Sequence, residues 1–196
     1  MITSNELKFA EKVFLIDAAY INKVASDLNR HFSQVIGREL PKADMAVFLE
    51  CIAMDAAIQP GENVIQVLFV YDQDNSKIDA FSQKDLKNEL NDVAFNSQLG
   101  EFLLNSFEPS DIASREEFFL ESVKLIADSK EVKHMIIIPS ETEYGDKLSE
   151  ILAKVGGKDF IHVLGMNPLP ESSAYQWEMM GYAILEALGV RPNEIK

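Results

Sequence analysis

Short, continuous apolar runs alternate along the chain with longer stretches in which apolar residues recur every three or four positions. The runs are Val13-Phe14-Leu15-Ile16, Val64 through Val70, His134-Met135-Ile136-Ile137-Ile138 and Phe160 through Leu164, each bounded by charged or polar residues or by glycine or proline. Runs of this length and flanking predict strands buried on both faces, as in a parallel sheet. After the first run, Ile21, Val24, Ala25, Leu28, Phe32, Val35 and Ile36 keep helical spacing, and Gly37 stands where that helix would end. A second helix is predicted over 42–58 behind Pro41, with Phe48, Leu49, Ile52, Ala53 and Ala56 as its stripe and Pro60-Gly61 as its stop. Ser114-Arg115-Glu116-Glu117 has capping-box spacing and opens a third helix carried by Phe119, Val123 and Ile126. A polar loop over 140–144 leads into a fourth, with Leu148, Ile151, Leu152 and Val155, closed by Gly156-Gly157. Trp177, Met180, Ile184, Leu185 and Leu188 form an amphipathic final helix before Gly189.

Strands alternating with helices imply βαβ crossovers, hence an α/β fold built on a mainly parallel central sheet. Neither an internal repeat nor a linker interrupts the pattern, so residues 1–196 read as one domain. The least legible part is an insertion at about 73–107. There Ser82 and Asp85 are placed to cap a short helix into Leu90, and 101–107 fits strand or helix equally.

Charge changes the functional picture more than composition does. With 18 Lys and Arg against 32 Asp and Glu, the formal net charge is -14. Such a surface repels phosphate backbones unless a cation compensates, so RNA is disfavoured as a partner. A protein partner or a homo-oligomer remains compatible with it. The single cysteine, Cys51, excludes an internal disulfide and multi-cysteine zinc sites. Without a signal-peptide pattern or an apolar run long enough for a bilayer, the chain is expected to be cytoplasmic, with no membrane partner. No nucleotide cofactor is expected either, because the glycine-rich phosphate loops are missing. Asp72-x-Asp74-x-Ser76 opens like a calcium loop but has Lys77 and Gln83 where an EF-hand needs glycine and glutamate. His31, His134 and His162 lack ligand spacing, and Cys51 lies beside an apolar stripe without a neighbouring base.

Candidate chemistry lies in the carboxylates. In open parallel sheets, sites form at the carboxyl ends of strands. That rule selects Asp17 after the first run, Asp72 and Asp74 after the second, Glu141 and Glu143 after the third, and Asp111 before the capped helix. Gathered carboxylates repel one another, and a hard divalent cation such as Mg²⁺ or Mn²⁺ relieves that repulsion and can activate water.

The strand ending in Asp17, the segment Ser140-Glu141-Thr142-Glu143-Tyr144, the helix closed by Gly156-Gly157 and the strand from Phe160 to Gly165 together resemble the NYN branch of the PIN-like ribonucleases. In that family the first strand ends in an aspartate and the later loop usually reads Ser-Gly-Asp-x-Asp-Phe. Here Glu141 and Glu143 stand for the two aspartates, Tyr144 for the phenylalanine, and the glycine is missing. The resemblance implies a three-layer α/β/α sandwich. It also implies a Mg²⁺ or Mn²⁺ site made from Asp17, Glu141 and Glu143, with Asp111 as fourth carboxylate, serving a metal-dependent ribonuclease.

Two departures keep a second reading open. The family's first motif carries an asparagine soon after the aspartate, whereas Ala18-Ala19-Tyr20 follow Asp17 and Asn22 is offset. Each Asp-to-Glu change moves the ligand oxygens by about a bond length, and Mg²⁺ tolerates little departure from its octahedron. The alternative is an inactive PIN-like fold acting as an interaction or oligomerisation module. In plainer terms, Asp17 would cap the first helix, Glu141 and Glu143 would answer the dipole of the fourth, and Asp111 would be a turn residue.

Overall fold

The computed structural model describes residues 8–73, 75–110 and 112–195. Its centre is a seven-stranded sheet in the order β3-β4-β2-β1-β5-β6-β7. The strands are β1 (Lys12–Asp17), β2 (Val64–Val70), β3 (Val93–Ser97), β4 (Gly100–Phe107), β5 (His134–Ile138), β6 (Phe160–Gly165) and β7 (Gln176–Met179). All neighbours are parallel except β3 and β4, which form an antiparallel hairpin at one edge. Among the described residues five α-helices accompany the sheet: α1 (Ala18–Ile36), α2 (Met45–Asp55), α3 (Arg115–Asp128), α4 (Glu141–Leu152) and α5 (Gly181–Ala187).

The near-continuous apolar runs have the expected cause. Along β1, Phe14 and Ile16 enter a core shared with α1, α2 and α5, while Val13 and Leu15 enter one shared with α3 and α4. Successive side chains of a strand point to opposite faces, so a strand that feeds two cores has few positions left for polar residues. The capping box of α3 is present as the spacing predicts, with Ser114 and Glu117 each accepting the other's backbone N–H. Gly37 ends α1 in the left-handed region at φ 76°, and its N–H bonds the Ser33 carbonyl.

Two expectations are corrected and one that was open is resolved. Among the described residues of 71–92 there is no helix: Asp85 accepts the backbone N–H groups of Lys87 and Asn88 as a cap would, but the chain continues in turns. Ile78, Phe81, Leu86 and Leu90 are buried in the α1/α2 core there, so packing against the domain replaces helical hydrogen bonding. The ambiguous 101–107 stretch belongs to β4, and Gly100 opens it at φ 129°. A Cβ on Gly100 would lie 2.2 Å from the Asn63 carbonyl oxygen, so only glycine lets the hairpin pass beneath the start of β2. The final helix is shorter than its stripe, because Trp177 lies in β7 and α5 begins at Gly181. Among the described residues no helix is long and apolar enough to cross a membrane.

The C-terminal turn, Pro192–Glu194, is tied back to the end of α1. Arg38 donates to both Glu194 carboxylate oxygens at 2.9 Å and to the Gly189 carbonyl. The Arg38 guanidinium and the Arg191 N–H hold the Glu194 carboxyl down to about 2. A depressed carboxyl pKa stabilises above its unfolded value and loses that contribution as pH falls through the folded one. The turn is therefore expected to stay docked from neutral pH to below 4.5 and to release as pH approaches 2. Amide exchange of residues 191–195 across that range checks it, and Arg38→Ala should release the turn already at neutral pH.

Candidate functional site

The chain runs from β1 through α1 and α2 to β2 on one side, and from β4 through α3 to β5 on the other. The carboxyl ends of β1 and β5 therefore border a switch point, where connections diverge and leave a crevice. Asp17 ends β1 and serves as N-cap of α1, accepting the Tyr20 N–H at 3.0 Å. Ser140 caps α4 after β5 without a side-chain bond, and Glu141 and Glu143 fall in the first turn. The expected polar loop over 140–144 is thus already helical from Glu141. At Tyr144 the helix breaks (φ -143°, ψ 20°), which turns that ring inward to pack on Phe119. Its hydroxyl donates to Asp17 Oδ2 at 2.6 Å.

The organising group is a cation that belongs to the chain. Arg115, the first residue of α3, sends Nη1 to both oxygens of Asp17, 2.6 Å to Oδ2. Its Nε donates to Asp72 Oδ1 at 3.1 Å and its Nη2 to Glu143 Oε2 at 2.7 Å. The Asp17 side chain is fully buried and that of Arg115 is 12% exposed, while Asp72 and Glu143 are about half exposed. Burial pushes the Asp17 carboxyl above its ordinary value, against the pull of the guanidinium, the Tyr144 hydroxyl and the Tyr20 N–H. Burial works against the charge of Arg115 too, but Asp17, Asp72 and Glu143 outweigh it and hold the guanidinium protonated.

Glu141 faces a different set of partners. Its Oε1 accepts the Tyr20 hydroxyl at 2.6 Å and the backbone and side-chain N–H groups of Asn167 at 3.2 and 3.0 Å. Tyr20 Oη in turn accepts the Met166 N–H at 3.0 Å. Glu141 Oε2 is buried without a partner and sits over Gly165, whose absent Cβ would lie 3.4 Å from it. Tyr20 therefore links the two carboxylates, with its backbone on Asp17 and its hydroxyl on Glu141.

Of the predicted residues, Asp17 and Glu143 are brought together, Glu141 lies beside them in a separate hydrogen-bond set, and Asp111 lies outside the described residues, as does Asp74. Asp72 joins through Arg115. Oxygens directed at N–H and O–H donors, with a guanidinium among them, do not fit a divalent cation. Among the described residues no group of three or more His, Cys, Asp and Glu side chains is placed to hold a metal. Arg115 was legible as part of the capping box but not as a site residue. The signal for its role is that a cation in a helix's first turn opposes the dipole and needs anionic partners. Cys51 is not poised as a nucleophile, since burial and the nearby Glu186, Asp55 and Glu50 push its thiol up to about 11.

The model of a family of unknown function, DUF6621, matches residues 6–195. The chain belongs to DUF6621. No match is found among curated proteins or among solved structures. In this DUF6621 member the matched span includes every residue of the Arg115 cluster and of the Glu141 set.

Proposed function

We propose that this domain is a divergent NYN/PIN-like α/β/α sandwich of three layers whose acidic crevice has become a structural ion-pair node. On this reading it works as a protein interaction or oligomerisation module rather than as a Mg²⁺- or Mn²⁺-dependent ribonuclease. The observation that carries it is the guanidinium of Arg115 bonded to Asp17, Asp72 and Glu143. An internal cation removes the repulsion that would otherwise recruit a divalent ion, and the oxygens of Asp17, Asp72 and Glu143 that converge there are already turned to its N–H groups.

The glutamates support the same reading. The extra methylene relative to aspartate moves the carboxylate oxygens by about a bond length from where aspartates would hold them, and it gives reach. Glu143 uses it to meet Arg115, and Glu141 to meet Tyr20 and Asn167. A net charge of -14 further opposes a phosphate backbone at the crevice.

The test is calorimetric titration of metal-free protein with Mn²⁺ and Mg²⁺ into the millimolar range, together with RNA and DNA cleavage assays in the same buffers. Neither saturable heat nor cleavage is expected. Saturable binding that disappears in Asp17→Asn, with cleavage lost in Asp17→Asn and Glu141→Gln, would return the domain to the nuclease reading.

A further inference from the structure

We infer that the open edge of β7, with the cleft beside it, is a docking groove for an extended basic segment of another protein chain. This rests on the interaction-module reading and names its partner chemistry. β7 pairs with β6 and ends the sheet, so among the described residues one side of its backbone has no neighbouring strand. Met180 donates its N–H to the Gly165 carbonyl, toward β6. The two-residue period of a strand then turns the backbone N–H and C=O groups of Trp177 and Met179 to the open side. Unpaired edge groups are a template for strand addition, and β7 carries neither the lysine nor the proline that commonly blunts an edge.

The surface beside this edge is a shaped one. A cleft of about 600 Å³ is lined by Pro168, Leu169, Pro170, Glu171, Tyr175 and Trp177. Its wall is held by the buried Tyr175, whose hydroxyl donates to the Pro170 carbonyl and lies 3.0 Å from Ser149 Oγ. Trp177 Nε1–H is shielded from solvent and has no acceptor. Such an unpaired buried donor is uncommon, and it makes the indole, which lines the cleft, sensitive to what enters there.

Charge selects the occupant. Glu171 lines the cleft, while Glu178 points to the other face of the sheet, where its carboxylate accepts from the Gln176 amide. A second copy would set a net charge of -14 against the same edge, whereas a segment with basic side chains turned to the cleft face would find Glu171 complementary.

Trp177 is the only tryptophan in the chain, so its emission reports on the groove alone. The probes are a short acetylated peptide of alternating Lys and Val and its Glu and Val counterpart. The Lys-Val peptide is expected to shift Trp177 emission saturably and to slow amide exchange at Trp177 and Met179. The Glu-Val peptide should bind at least about tenfold more weakly. Glu171→Lys, a surface change, should cut Lys-Val affinity several-fold. Met179→Pro removes an outward N–H and should abolish binding. Unchanged Trp177 emission at millimolar Lys-Val peptide, or equal binding of both peptides, overturns the proposal. So does concentration-dependent dimerisation that protects β7 without peptide. These outcomes are separate from metal titration: a nuclease site would sink the functional reading without altering the peptide result, and peptide failure would leave the ion-pair node as it stands.

Discussion

Arg115→Ala is expected to lower the unfolding free energy by about 3–5 kcal/mol, the cost of leaving one partner of a buried ion pair uncompensated. For a domain of this size that is a fall in Tm on the order of 10 °C. The loss centres on Asp17, which is fully buried and would keep only the Tyr144 hydroxyl and the Tyr20 N–H. Its carboxyl is already raised by burial, and without the guanidinium it would rise further. A raised carboxyl pKa gives a contribution that is present at low pH and lost as pH climbs through the folded value. The deficit of the variant should therefore be largest at neutral pH and shrink in mildly acidic buffer. The space vacated by the guanidinium would be bordered by oxygens of Asp17, Asp72 and Glu143, the donor type that hard divalent cations prefer. Millimolar Mn²⁺ should recover part of the lost Tm in Arg115→Ala and leave the unmutated protein unmoved. Thermal unfolding followed by circular dichroism, with and without Mn²⁺, reads all of this. A Tm within about 2 °C of the unmutated protein would mean that Asp17 does not depend on Arg115.

Where one residue type answers to one physical demand, the sequence was readable. The central strands β1, β2, β5 and β6 stand between two cores, so their apolar runs are nearly unbroken and their ends can be placed to within a residue. Ser114 and Glu117 report on each other, and Gly37 meets a left-handed requirement. The edges follow other rules. β7 is four residues long with a mixed polar pattern, and Trp177 falls in phase with the stripe of α5 by coincidence of spacing. Residues 71–92 pack Ile78, Phe81 and Leu86 into a core formed by distant helices, and no local period records that. The site was half legible for a similar reason. Strand ends pick out Asp17, Glu141 and Glu143, because position in a parallel sheet determines where carboxylates gather. The cation that joins two of them arrives from α3, 98 residues beyond Asp17 in the chain. Counting acidic residues predicts a need for positive charge without saying whether a metal or an arginine meets it.

Glu141→Ala should cost about 1–3 kcal/mol, chiefly because it strips a charged acceptor from the part-buried Tyr20 hydroxyl. Tyr20 loses the acceptor of its hydroxyl, and Asn167 loses a partner for both its backbone and its side-chain N–H. Burial and the Glu141 charge raise the Tyr20 hydroxyl above its ordinary value, so it stays protonated and needs an acceptor throughout the neutral range. Glu141→Gln separates geometry from charge. Its amide oxygen can keep the Tyr20 and Asn167 bonds, and its N–H₂ would occupy the place over Gly165 where Oε2 has no partner. That variant should stay within about 1 kcal/mol of the unmutated protein. The two variants should also differ locally. Residues 166 and 167 lead directly into the segment that walls the cleft beside β7, so Glu141→Ala should speed amide exchange at Met166 and Asn167 and weaken binding of the basic peptide, whereas Glu141→Gln should change neither greatly. Equal exchange at 166–167 in Glu141→Ala and the unmutated protein would show that this loop is held by other contacts, chiefly the Tyr175 hydroxyl on Pro170. A loosened loop with unimpaired peptide binding would place the recognition on the β7 backbone alone and leave the cleft walls without a part in it.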